Sequence, residues 1–177
     1  GGGVAGTQHR GDTEECDGKT WQAKDQCNTK MGDTCVEGVC RTQCDLVSRG
    51  NVGCSFYPVN LWSTSTDGML GIVATNTSDT LSADVTLEGP VHPTPSATQT
   101  IPPGGAVIFR IPHGEAKLTQ TEQSMKGMHL SSTNPVAVYQ FHPIDAATVF
   151  SGSATLLLPE HVMAKNYFVM SYTYNAE

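Results

Sequence analysis

All six cysteines fall between Cys16 and Cys54, and the 123 residues from Ser55 to Glu177 hold none. An even number of cysteines crowded into one short stretch predicts a disulfide framework, and so an oxidising compartment outside the cytosol. The apolar content of that stretch is thin: Trp21, Met31, Val36, Val39, Leu46, Val47 and Val52. A core of that size is marginal, and bridges among Cys16, Cys27, Cys35, Cys40, Cys44 and Cys54 at ~2–4 kcal/mol each supply the missing stability. Their irregular spacing does not select a pairing. In Cys35-Val-Glu-Gly-Val-Cys40 the glycine, Gly38, sits where a tight reversal needs positive φ. Zinc is the rival use of Cys35, Cys40 and Cys44, with His9 or His113 as a distant fourth ligand. The stretch lacks both paired knuckles and a histidine of its own, so the spacing favours disulfides.

From Ser55 on the pattern changes to short β-like runs between turn residues. Strands are predicted over Phe56–Leu61, Met69–Thr75, Ala83–Leu87, Ala106–Ile111, Met128–Ser132, Val136–Phe141, Thr155–Leu158 and Tyr167–Tyr174. Apolar and polar residues alternate best over 136–141 and 167–172, which predicts strands with one buried face. Thr66-Asp67-Gly68, Asn76-Thr-Ser-Asp79, Pro102-Pro-Gly-Gly105 and Thr133-Asn-Pro135 punctuate the runs as turns. A short helix is expected around Pro159–Lys165, and Val91–Pro103 reads as an extended Pro/Thr-rich loop or edge segment. The expectation is an all-β chain: an antiparallel β-sandwich over 55–177, preceded by a small disulfide-rich, loop-dominated segment over 16–54 and a flexible arm over 1–15.

The chemistry on offer is sparse. A net charge of −7 with no basic cluster argues against nucleic acid as a partner, and the longest apolar runs are too short to span a bilayer. The histidines His9, His92, His113, His129, His142 and His161 follow no ligand spacing. There is no Gly-x-Ser-x-Gly elbow, and the oxygen-rich turns at Ser65–Gly68 and Asn76–Asp79 lack the alternating acidic positions of an EF-hand. No catalytic residue, metal site or cofactor is therefore assigned, and the chain is expected not to be an enzyme. Arg10-Gly11-Asp12 is read as a chance tripeptide in a solvated arm. Asn76-Thr-Ser78 is an N-glycosylation sequon, and Thr94, Ser96 and Thr98 are candidate O-glycan carriers.

Several stretches in order resemble the bacterial secreted proteins related to the N-terminal domain of IgGFc-binding protein. They are 52–61 (VGCSFYPVNL), 72–78 (IVATNTS), 103–105 (PGG), 134–143 (NPVAVYQFHP), 155–159 (TLLLP) and 167–172 (YFVMSY). The lead-in with Cys35-x2-Gly-x-Cys40 is similar to what precedes that domain in large bacterial surface proteins. The resemblance implies an extracellular β module with no catalytic machinery. Domains of that family continue beyond the tyrosine-rich strand, so Tyr167–Tyr174 is expected to lack a neighbour within this chain. An unpaired strand templates pairing with another chain. The functional expectation is a cell-surface or extracellular subunit that associates head to tail with copies of itself into a filament, with residues 1–15 or the C-terminal strand donated. The alternatives are a monomeric adhesin for surface or glycan ligands, and a secreted hydrolase.

Overall fold

The computed structural model describes residues 9–10, 13–17, 24–28, 31–36, 39–48, 50–61, 68–112, 114–120, 123–145 and 152–166. Its organising element is β11 (His129–His142), a strand of 14 residues. Along one edge β11 pairs antiparallel first with β8 (Ala83–Glu88), from His129↔Glu88 to Ser132↔Val85, and then with β7 (Leu70–Asn76), from Val136↔Asn76 to Phe141↔Gly71. Along its other edge lie β6 (Val52–Phe56) and then β12 (Ser153–Leu156). The outer strands are β10 (Ala106–Ile111) on β7 and β9 (Thr98–Ile101) on β8.

The change of partner from β8 to β7 occurs at Thr133-Asn134-Pro135, where the register against β6 also shifts. Sequence patterning predicts two strands here with a turn between them; the structure has one strand with a bulge. Pro135 is tolerated because a bulge does not ask it for a ladder N–H. Side chains replace the missing ladder. Asn134 Nδ2 donates to Ser82 O at 2.7 Å, Asp84 N donates to Thr133 Oγ1 at 2.9 Å, and Ser132 Oγ donates to Asn134 O at 2.6 Å.

With period-two alternation, Leu70, Ile72 and Ala74 of β7, Ala83, Val85 and Leu87 of β8, and Leu130, Val136 and Val138 of β11 all turn inward. They meet Phe56, Ile101, Phe109 and Ile111 in one apolar core. The sheet curls so that its two halves close over that core as a β-sandwich. Thr94 and Arg110 exchange both backbone hydrogen bonds, at 2.8 and 2.9 Å, and draw the approach to β9 onto β10.

The expected sandwich and its disulfide-rich lead-in are thus present, with some boundaries moved. The expected strand at Phe56–Leu61 begins and ends earlier, as β6. Pro58 has no N–H to give, and Gln140 captures Val59 instead, accepting from its N at 3.0 Å and donating to its O at 2.8 Å. β9 lies inside the stretch read as a loop or edge segment, and it is an edge strand. The expected helix near Pro159 is a single 3₁₀ turn, Glu160–Val162. Tyr167–Tyr174 lies outside the described residues.

The lead-in contains more regular structure than its composition suggests. β1 (His9–Arg10), β2 (Thr13–Asp17) and β3 (Lys24–Asn28) form a three-stranded antiparallel sheet, and β4 (Thr34–Val36) pairs with β5 (Val39–Arg41) as a hairpin in which Cys35 opposes Cys40. This corrects the expectation of a free arm at His9–Arg10 and Thr13–Glu15, which are paired: β3 supplies the backbone partner of β2, and β2 that of β1. A short helix, α1 (Gln43–Leu46), follows, closed by a Thr42/Asp45 capping box. The Thr42 backbone N–H, and then its hydroxyl, donate to the Asp45 carboxylate and lower its pKa.

Candidate functional site

Cys44 of α1 is bonded to Cys54 of β6, and Cys35 and Cys40 are also in disulfides. Cys54 lies within the main sheet, so the Cys44–Cys54 bridge welds the lead-in to the sandwich. Cys16 and Cys27 occupy β2 and β3. No three histidine, cysteine or carboxylate groups among the described residues converge as a metal site. No helix among them is long and apolar enough to cross a membrane.

Two features stand out on the surface. The first is the free side of β12. Leu157 N donates to Val138 O at 2.9 Å, and the register pairs Gln140 with Thr155 and His142 with Ser153. By antiparallel alternation the N–H and C=O groups of Ala154 and Leu156 therefore point away from β11. Among the described residues β12 pairs with β11 alone, and all four of its residues are exposed. Tyr139 and Leu156, which are cross-strand partners, are 38% and 37% exposed, and Leu158 is 53% exposed.

The second is a polar cluster at the other end of β11. Phe56, Leu87 and Leu130 face the core, so their neighbours Ser55, Tyr57, Glu88 and His129 face outward together. His129 Nε2 lies 3.0 Å from Ser55 Oγ, and His129 Nδ1 lies 3.4 Å from Glu88 Oε2. The Ser55 hydroxyl donates to Glu160 Oε2 at 2.6 Å. The Tyr57 ring stacks on the imidazole with centroids 5.1 Å apart. The hydroxyls of Ser55 and then Tyr57 donate to the Glu160 carboxylate and hold its pKa below the ordinary 4.5. A cleft of about 320 Å³ lined by Cys44, Cys54, Ser55, Glu160 and His161 opens on one side. Another of about 300 Å³, lined by Tyr57, Glu88, Gly89 and His129, opens on the other.

Sequence reasoning lists His129 only as a scattered histidine and does not single out Ser55 or Glu88. Ser55, Glu88 and His129 are 33 and 41 positions apart along the chain at successive steps, and only the register of β6, β8 and β11 joins them. Two further histidines, His92 and His142, stay apart from this cluster. His92 donates its backbone N–H to Glu115 at 2.6 Å and keeps that carboxylate's pKa low, His142 ends β11, and His113 lies outside the described residues. His161 lies next to Glu160 in the 3₁₀ turn and lines the cleft beside Ser55.

The glycan expectation needs correction at Asn76. This residue is 1% exposed, and its Nδ2 donates to Leu81 O, Ile101 O and Pro102 O at 2.7, 3.1 and 3.2 Å. A glycan on that nitrogen is incompatible with the fold. Thr94, Ser96 and Thr98 are exposed. Comparison with known protein families, curated proteins and solved structures gives no match.

Proposed function

We propose that the protein is an extracellular structural subunit that associates with copies of itself by adding a strand to the free edge of β12. The observation that carries this reading is the outward row of backbone groups on an exposed strand that, among the described residues, pairs with β11 alone. Four such hydrogen bonds at ~1 kcal/mol each correspond to a Kd on the order of 1 mM before the cost of association. Backbone pairing alone is therefore too weak. The exposed Tyr139, Leu156 and Leu158 beside the edge supply the apolar contact that a lasting joint needs.

The donor is the alternating run Tyr167–Tyr174 of a neighbouring copy, since the described part of the N-terminal stretch is already paired. Such a contact is head to tail and propagates as a filament. The disulfide bonding of Cys35, Cys40, Cys44 and Cys54 fits an oxidising, extracellular setting, and the resemblance to IgGFc-binding-protein-like domains points the same way. Ala154→Pro removes one outward N–H and leaves the β11 ladder intact. It should abolish oligomers in size-exclusion chromatography with light scattering. A wild-type protein that stays monomeric at high concentration would instead point to the adhesin.

A further inference from the structure

We infer that Ser55, His129 and Glu88 form an acyl-transfer site on the outer face of the sheet. The inference is independent of the assembly reading, because the cluster lies at the opposite end of β11 from β12. The two imidazole nitrogens are used in the order that nucleophilic catalysis requires: Nε2 faces the serine hydroxyl at 3.0 Å and Nδ1 faces a carboxylate at 3.4 Å. Glu88 is a positioning residue that orients the ring, and Tyr57 stacked on it limits its rotation. Glu160 is a competing acceptor for the serine proton, at 2.6 Å.

The substrate class is a small activated ester seated in the cleft lined by Ser55, Glu160 and His161. Ser55 Oγ bonds to the carbonyl carbon while its proton passes to His129 Nε2. The C–O bond to the alcohol then breaks, and the departing alkoxide takes that proton. Water, deprotonated by His129, releases the acid and restores the serine. His161 is the group in this cleft able to donate to the carbonyl oxygen as negative charge develops there.

The test is labelling of the full, disulfide-intact chain with a fluorophosphonate probe, with the modified residue located by mass spectrometry. Labelling is expected on Ser55, to vanish in Ser55→Ala, and to slow about 100-fold or more in His129→Gln. Glu160→Ala should speed it by freeing the hydroxyl for His129. Glu88→Gln should slow labelling, and the conservative Glu88→Asp should recover part of the rate, as a residue that orients the ring requires. Thermal melts confirm that each variant folds. Absence of label from wild-type Ser55, or equal labelling of wild type and His129→Gln, would overturn the inference.

Discussion

Replacing Asn76 with alanine tests how the two halves of the sandwich are joined. The side chain ends β7 and is 1% exposed. Its amide nitrogen serves the carbonyls of Leu81, Ile101 and Pro102, and its oxygen accepts from Ser78 N at 3.0 Å. The carboxamide thus ties the exit of β7 to the loop entering β8 and to the end of β9. Alanine leaves these groups without the partner that the buried side chain supplied. An amide has two N–H donors, so the three nitrogen contacts are worth about two hydrogen bonds, and the Ser78 contact adds a third. At ~1 kcal/mol each the loss is about 3 kcal/mol. For a chain of this size that lowers Tm by about 6–12 °C, readable by differential scanning calorimetry. Asn76→Asp is the sharper variant, because near neutral pH it presents a carboxylate to carbonyl oxygens and should cost at least as much. A loss below ~0.5 kcal/mol for the alanine variant would refute the reasoning, as would an N-linked glycan on Asn76 of folded protein from a glycosylating host.

Three further outcomes are expected. Removing the Cys44–Cys54 bridge as the double alanine variant opens a loop of sequence separation 10, which the chain-entropy relation values at about 3 kcal/mol, checked by urea denaturation. Gly104 has φ +66° at the third position of the Pro102–Gly105 turn, whose Gly105 N donates to Pro102 O at 2.9 Å, and a Cβ there would meet nothing. Gly104→Ala should therefore cost the backbone term alone, about 1 kcal/mol, in the same assay. Ser55→Ala should raise the Glu160 pKa toward 4.5 in an NMR titration, since the serine hydroxyl is its leading cause of depression. A depressed carboxylate stabilises the fold above its unfolded pKa and loses that contribution as pH falls through the folded pKa, so the variant should flatten the acid limb of stability below about pH 4.5.

The parts of this molecule legible in the chain are those where local pattern and tertiary environment agree. β10 spans Ala106–Ile111 as its Val, Ile and Phe content predicts, and the Pro102–Gly105 turn follows from proline before glycine. β9 is hidden because Thr98-Gln-Thr-Ile101 has one buried apolar residue, Ile101, and sits among prolines. The continuity of β11 is hidden by Asn134-Pro135, which reads as a break until Ser82, Asp84 and Thr133 are seen to bridge it. The sequon at Asn76 misleads because a buried capping asparagine and a glycan acceptor share the same local sequence. The Ser55–His129–Glu88 cluster leaves no local trace, since three strands distant in the chain must be aligned before it exists.

The central claim is that the β12 edge joins one copy to the next, and negative-stain microscopy of purified wild type beside Ala154→Pro tests it most directly. Filaments or head-to-tail oligomers in wild type, and single particles with an unchanged melting temperature in the variant, are the predicted result. Monodisperse single particles in wild type, or assemblies that persist in the variant, would contradict it.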